Sequence, residues 1–393
     1  MTVIRTTSES DRRVLDLVYN YNLNLLLGFD NQDKINKMKQ ELERYITKII
    51  ILPYGAIGEY VKLQTPGACW TYQDGTSRIE MYGFANSPKQ NLEFIPHEFS
   101  HELWHAIINY TNFKGIADYC RKHGYEHGLI PRLDKNGNPV FKTASAGVIV
   151  NIDQRNHQNQ KTYGKMFQET LNDILATGSI LAFDDYYRDR GVSLDTVFKR
   201  HYGEWKEAST GYSIFTSLTR LLIAAFSNNG SIGYDATARN GSSIINCRFT
   251  SSTGNLLYAN TFLHNMIHNP LEVEAEFDKY LGAGAYEKIA TKMDVIFEKQ
   301  NNGFPNIFEQ KAVIKEFMII VSDFLNAKKA YLEQNKILTP QETRLIVANY
   351  NKIWNTLQRE YSSYFTEGDL DELRKRAYAN NQMPSNNGGI SNK

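Results

Sequence analysis

The sequence predicts an α+β fold, with a small N-terminal lobe carrying an antiparallel sheet beside a larger, mainly helical C-terminal lobe. Three observations lead there. Two short alternating segments flank an Asp74-Gly75 pair, which is a hairpin signal. Apolar residues recur at helical spacing both before and after that hairpin. From Tyr163 onward the helical period dominates. A chain of 393 residues is long enough for two lobes or one large domain.

Taken in order, residues 11–50 read as helical, with Leu15, Leu17 and Val18, then Ile35, Met38, Leu42 and Ile46 at helical spacing. Ala68-Cys69-Trp70-Thr71-Tyr72 and Arg78-Ile79-Glu80-Met81-Tyr82 read as the two strands of the hairpin. Leu92 to Tyr110 is helical again. Residues 111–160 read as irregular: Lys135-Asn136-Gly137-Asn138-Pro139 is a turn, flanked by strands at Leu129–Leu133 and Ala146–Ile152. Thr339-Pro340-Gln341-Glu342 has the form of a helix start, with Thr339 as N-cap, proline in the first turn and Glu342 closing a capping box. Gln382–Lys393, rich in Asn, Gly and Ser, reads as a frayed tail. The expected organisation is an α+β lobe over 1–115, an irregular insert over 116–160, a helical lobe over 161–381 and a flexible tail over 382–393, with a ligand cleft between the lobes.

Composition removes several function classes. The 44 basic and 43 acidic side chains give a net charge of +1, which argues against a polybasic nucleic-acid binder. Apolar residues at 41% and aromatics at 12% supply a core and exclude wholesale disorder. Cys69, Cys120 and Cys247 are too few and too scattered for a disulfide framework or a four-thiolate zinc site. Ile49-Ile50-Ile51-Leu52-Pro53 is far short of the roughly 20 apolar residues a membrane span needs. The N-terminal run Leu25-Leu26-Leu27 makes a poor signal peptide, which leaves the cytoplasm or secretion without such a signal both open.

The decisive segment is Phe94-Ile95-Pro96-His97-Glu98-Phe99-Ser100-His101-Glu102-Leu103-Trp104-His105-Ala106-Ile107. It contains His-Glu-x-x-His twice, overlapping at His101. Two histidines four apart on a helix share a face and converge, as two ligands of a tetrahedral zinc must. The glutamate after the first histidine stands where a general base can reach a metal-activated water. His97 and His105 lie about 12 Å apart along a helix, too far for one ion, so His101 is a ligand in either register. The register His101, Glu102, His105 is favoured because its neighbours Leu103, Trp104, Ala106 and Ile107 are uncharged. In the other, Pro96 puts His97 near the helix start, Glu102 directly follows the second histidine, and Glu98 would be the base. Under the favoured register His97, one turn earlier, is available as a second contact to a ligand histidine or substrate.

A catalytic zinc usually has three protein ligands and one open position. The best third candidate lies in Tyr163-Gly164-Lys165-Met166-Phe167-Gln168-Glu169-Thr170-Leu171-Asn172-Asp173-Ile174-Leu175. Phe167, Leu171, Ile174 and Leu175 form an apolar stripe, and Glu169 and Asp173 point together from another face. Such a pair divides the work: Glu169 binds the metal, and Asp173 accepts the free ring N–H of a ligand histidine. A rival third ligand is Glu272 or Glu274 in Asn269-Pro270-Leu271-Glu272-Val273-Glu274-Ala275-Glu276, which resembles a pattern of several small HExxH proteins but equally suits an ordinary helix start. Candidate donors to a developing oxyanion are Tyr163, the His264/His268 pair and Tyr212.

His101-Glu102-Leu103-Trp104-His105 followed by Glu169-x-x-x-Asp173 resembles the gluzincin group of zinc metallopeptidases, which includes thermolysin and the lethal-factor-type toxins. The resemblance covers perhaps 90 residues, from the hairpin to Leu175. It implies zinc on His101, His105 and Glu169, Glu102 as base, and Asp173 buttressing a histidine. Tyr163 resembles the tyrosine that lethal-factor-type enzymes place shortly before the ligand glutamate. Arg78–Tyr82 resembles the edge strand on which zincins lay an extended peptide. The stretch from His105 to Glu169 departs from the pattern, being much longer than the thermolysin linker, and the insert 111–160 accounts for the excess.

The expected function is a zinc-dependent hydrolase of peptide bonds, with a peptide or protein as substrate. Two alternatives stand beside it: a zinc-binding but catalytically silent interaction module, and a toxin-like protease with one narrow target. A peptide-library digest with added zinc, set against Glu102→Gln, separates a generic peptidase from the silent module.

Overall fold

The computed structural model describes residues 3–5, 9–27, 32–52, 67–71, 75–82, 88–124, 130–133, 139–144, 150–152, 161–176, 219, 233–235, 246–248, 265–267, 270–301, 307–334, 366–369, 371, 372 and 375. Within them the fold is α+β. The elements in chain order are β1 (Val3–Arg5), α1 (Glu9–Leu27), α2 (Gln32–Tyr45), β2 (Ile46–Leu52), β3 (Gly67–Thr71), β4 (Ser77–Tyr82) and α3 (Pro88–His123). Then come β5 (Ile130–Leu133), β6 (Pro139–Ala144), β7 (Val150–Ile152), β8 (Lys161–Tyr163) and a helix α4 over 165–176. A strand pair, β9 (Gly233–Asp235) with β10 (Asn246–Arg248), precedes α5 (Pro270–Leu281), α6 (Ala285–Asn301) and α7 (Ile307–Gln334).

The first sheet has the order β1-β2-β4-β3. Only β3 runs antiparallel, against β4; the β1–β2 and β2–β4 pairs are parallel. The expected antiparallel sheet is therefore a mixed one. The reason is β2, which the helical reading of 11–50 swallowed. Ile46 continues the spacing of Leu42, but Ile46, Thr47, Ile49, Ile50 and Ile51 form a β-branched run that prefers a pleated surface to a helix. The helix α2 stops at Tyr45, and Ile46 and Ile49 enter the core from the strand. The hairpin is where it was expected, with Thr71 opposite Ser77 and Gly75 at φ 84°.

Helix α3 crosses this core. Between Phe99 and Asn112 nearly every residue is buried, including Leu103, Trp104, Ile107 and Ile108, as expected of a helix with packing on all sides. It contacts α1 on one flank and β3 and β4 on another. Ser100 donates to Asn22 of α1 at 3.1 Å, Asn22 donates in turn to the Val18 carbonyl at 2.8 Å, and Tyr110 donates to Glu41 of α2 at 2.5 Å. The helix runs past the expected end at Tyr110 to His123, with Arg121, Lys122 and His123 in its last turn to complement the dipole and Gly124 at φ 68° beyond.

The segment 116–160, expected to be an irregular insert, contains the end of α3 and three strands of a second sheet. That sheet is an antiparallel meander in the order β5-β6-β7-β8. Leu133 pairs with Pro139; residues 135–138 of the expected turn lie outside the described residues. The strand β6 packs against both α3 and α5. It was missed because Pro139-Val140-Phe141-Lys142-Thr143-Ala144 carries no strict alternation.

The chain leaves β8 through Gly164, at φ 95°, into α4. Asp294 of α6 holds that helix start from outside, accepting from the backbone N–H groups of Gly164, Lys165 and Met166 at 2.8, 3.2 and 2.8 Å. The stripe Phe167, Leu171, Ile174, Leu175 is buried as expected, with Phe167 stacked on Tyr286 of α6 at 6.0 Å between centroids. Helices α5 and α6 form a hairpin in which Asp278 accepts from Gly284 and Tyr286 at 2.9 and 3.0 Å. Helix α7 closes on α5 through Phe277–Phe324 and Tyr280–Tyr331. The helix start expected at Thr339 and the tail Gln382–Lys393 lie outside the described residues. No described helix is long and apolar enough to cross a membrane.

Candidate metal centre

His101 and His105 stand one turn apart on the buried middle of α3, their ring centroids 5.1 Å apart. Glu169 reaches them from α4. Its Oε2 lies 3.4 Å from His101 Nε2 and 3.5 Å from His105 Nε2. One ligating atom from each of the three residues lies within 4.8 Å of the others. Two physical scales test what this spacing means. A charge-assisted N–H···O⁻ bond measures about 2.7–2.9 Å, well short of both distances. Donors about 2.1 Å from a tetrahedral ion stand roughly 3.4 Å from one another. The two histidines face the carboxylate at metal-ligand spacing.

The donor set could hold a metal ion. It comprises three donors among the described residues, and His105 and Glu169 keep 14% and 21% of their side-chain surface exposed; a tetrahedral structural site has four protein donors. Two imidazoles and a carboxylate suit zinc, although other first-row divalent ions accept the same donors.

Electrostatics within the cluster are coupled. Burial alone would raise the Glu169 carboxyl, but His105 and His101 more than offset it and hold it well below the usual carboxylate range. Burial opposes protonation of His101; Glu169, with help from Glu102, outweighs that and raises it. Glu102, 7% exposed, is different. Burial pushes it up to about 8, opposed by His101, reinforced by Glu169 and Glu98, and opposed again by a hydrogen bond from the Cys69 backbone N–H.

The structure thus brings together His101, His105 and Glu169 with Glu102 beside them, the register preferred from sequence. Asp173 lies one turn after Glu169 on α4 and is 2% exposed. The side chains of His97, His264, His268 and Tyr212 lie outside the described residues.

Two expectations need correction. Tyr163 was the candidate oxyanion donor, but its ring is fully buried and its hydroxyl donates to Glu274 Oε1 at 2.7 Å. It ties β8 to α5 rather than facing a substrate carbonyl. The same bond accounts for Glu274, 2% exposed on α5, which joins Tyr163 and not the histidines. Neither Glu272 nor Glu274 belongs to the cluster found among the described residues. The edge strand is also misplaced. Arg78–Tyr82 is β4, held between β2 and β3; among the described residues the edges are β1 and β3, Gly67–Thr71, and both β3 and β4 pack against α3.

Gly67 and Cys69 of β3 are the site residues that sequence reasoning missed. The hairpin turn fixes their register, yet nothing in the local pattern says that this strand lies against Glu102. Neither Cys69 nor Cys120 is in a disulfide. No protein-family model matches the chain, and no curated protein and no solved structure matches it significantly.

Proposed function

We propose that the chain is a zinc-dependent peptidase of the gluzincin type. The observation that carries this reading is the placement of two histidine nitrogens at 3.4 and 3.5 Å from a single Glu169 oxygen, with the motif glutamate Glu102 adjacent. His101, His105 and Glu169 would hold the ion. When bound, zinc supplies Lewis acidity toward a peptide carbonyl and lowers the pKa of water in the open position. Glu102 is the group that takes a proton from the attacking water and passes it to the leaving amine. Asp173, one turn beyond Glu169, orients a ligand histidine. The edge strand β3 offers backbone groups to which an extended peptide adds as a further strand. In this reading the first sheet and α3 form an N-terminal lobe, and α4 brings Glu169 to it from the helical lobe.

The test has two readouts. Elemental analysis of the purified protein should give one equivalent of zinc, lost in His101→Ala and retained in Glu102→Gln. A casein or peptide-library digest should show cleavage by the wild type and a loss on the order of a thousandfold or more in Glu102→Gln, since removal of the base leaves only binding and polarisation. One zinc per chain with no cleavage of any peptide would support the silent module instead. Zinc retained by His101→Ala would end the metalloprotein reading.

A further inference from the structure

We propose that Gly67 of β3 is a positioning residue for Glu102: the side chain it lacks leaves the space in which the Glu102 carboxylate is held. This rests on the reading of Glu102 as the proton-transferring base.

A Cβ placed on Gly67 would stand 3.0 Å from Glu102 Cγ, 3.2 Å from Glu102 Oε1 and 3.1 Å from Met81 Sδ. Contacts this short are tighter than nine in ten real Cβ contacts, so a neighbour must give by a few tenths of an ångström. The backbone does not itself demand glycine there, because Gly67 is not among the positive-φ glycines Gly75, Gly124, Gly164, Gly282 and Gly284. The requirement comes from the neighbours. The nearest atom is Cγ, in the middle of the Glu102 side chain, so rotating the terminal carboxylate does not clear it.

Both neighbours are buried. Met81 is 2% exposed in the middle of the sheet. Glu102 is fixed to α3 between His101 and the fully buried Leu103, and displacement away from β3 moves it out of its relation to the cluster. The same strand also grips the carboxylate, since the Cys69 N–H donates to Glu102. Gly67 and Cys69 share one face of β3 at the two-residue period. The strand therefore aims the base twice, through a missing methyl and through an amide. Because β3 is also the edge along which a peptide would add, base and substrate would take their positions from one element.

The chain has three cysteines, so selective ¹⁵N-cysteine labelling gives three backbone amide signals, one of them from Cys69. In Glu102→Ala the Cys69 amide should shift and exchange with solvent at least about tenfold faster, having lost its hydrogen bond to the carboxyl. Gly67→Ala should reproduce that shift and faster exchange, keep one equivalent of zinc, and lower kcat about 10–100-fold with KM within about threefold of wild type, as expected for a misplaced catalytic group. A Cys69 amide indifferent to Glu102→Ala would overturn the proposal whether or not Gly67→Ala folds. So would Gly67→Ala with wild-type amide exchange and wild-type kcat. If the zinc-loaded wild type cleaves no peptide while both amide effects appear, the peptidase reading falls and the placement of Glu102 by Gly67 stands.

Discussion

Asp294 is the side chain that fixes where α4 begins, and its removal gives the most quantitative test of how Glu169 is delivered. Three backbone N–H groups, at 2.8, 3.2 and 2.8 Å, end on its two carboxylate oxygens. Loss of an ordinary N-cap bond costs about 0.5–2 kcal/mol. With three donors left without an acceptor at a partly buried helix start, Asp294→Ala should lower stability by about 2–3 kcal/mol. Charge is not what the site needs. Burial raises the Asp294 carboxyl above its usual range despite the three amides. A folded value above the unfolded one means that this group's contribution is full below the unfolded value and lost as pH rises through the folded one. Asp294→Asn, neutral and with one acceptor oxygen left, should therefore cost only about 1 kcal/mol. Urea unfolding of the three proteins, with and without zinc, is the assay. At a zinc concentration of 100 times Kd the wild type should gain about 2.7 kcal/mol, and Asp294→Ala less, because a loosened first turn carries Glu169 with it. An alanine variant within 0.5 kcal/mol of wild type, or an asparagine variant as damaged as the alanine one, would refute the reasoning.

Glu169→Ala should lose stoichiometric zinc by elemental analysis, while Glu272→Ala and His97→Ala keep it; the reverse pattern would move the site to the other carboxylates or the other register. Asp173→Asn should weaken zinc binding or activity by about 10–100-fold, read by competition with a chromophoric chelator. Lys328, 4% exposed, is pulled down to about 8, burial outweighing the help of Glu276, with Lys279 adding to the fall. A depressed lysine contributes its full stability only above the unfolded value of 10.5 and loses it as pH falls through the folded value. The deficit at neutral pH is therefore roughly 3 kcal/mol. Lys328→Met should be more stable than wild type in urea at pH 7, by up to that amount, with the gain shrinking toward pH 10; equal stability at pH 7 would contradict this. Gly75→Ala should cost about 1–3 kcal/mol, because its φ of 84° strains an L-residue and its Cβ would meet the Phe113 ring at 2.9 Å.

The parts of the fold that were legible in the sequence are those whose signal is local. Asp74-Gly75 specified its own turn, and Phe167, Leu171, Ile174 and Leu175 specified a helix face, because each depends only on neighbours a few residues away. The strand β2 was not legible, since Ile46 fits the period of the preceding helix and only the parallel partner Ser77–Tyr82 decides the matter. Parallel pairing is long-range information that no window of ten residues contains. The same limit explains Arg78–Tyr82. Its alternation was read correctly as a strand, but whether a strand is central or at the edge depends on which others join the sheet. Tyr163 failed for a related reason. A tyrosine six residues before Glu169 can face either side of β8, and it is Glu274, far along the chain, that captures its hydroxyl.

The His101, His105, Glu169 cluster was legible because its two histidines fix each other by helical spacing, leaving one partner to be found. What the sequence could not supply is how the chain travels from His105 to Glu169 without losing the geometry. The described residues of that stretch lie almost wholly in regular elements. Helix α3 continues to His123, and the meander β5–β8 packs β6 against α3 and α5. The chain then turns at Gly164 into a helix whose first amides are held by Asp294. The described part of the long separation thus has contacts with α3 at one end and with α5 and α6 further on. Loop-closure entropy grows slowly with length, so distance along the chain is a weak objection to convergence. What sets the position of Glu169 is the rigidity of the last link, from β8 through Gly164 to the first turn of α4. A carboxylate carried on a freely swinging loop would not keep two histidine nitrogens at nearly equal distances from one oxygen. One carried five residues into a helix anchored at its first turn can.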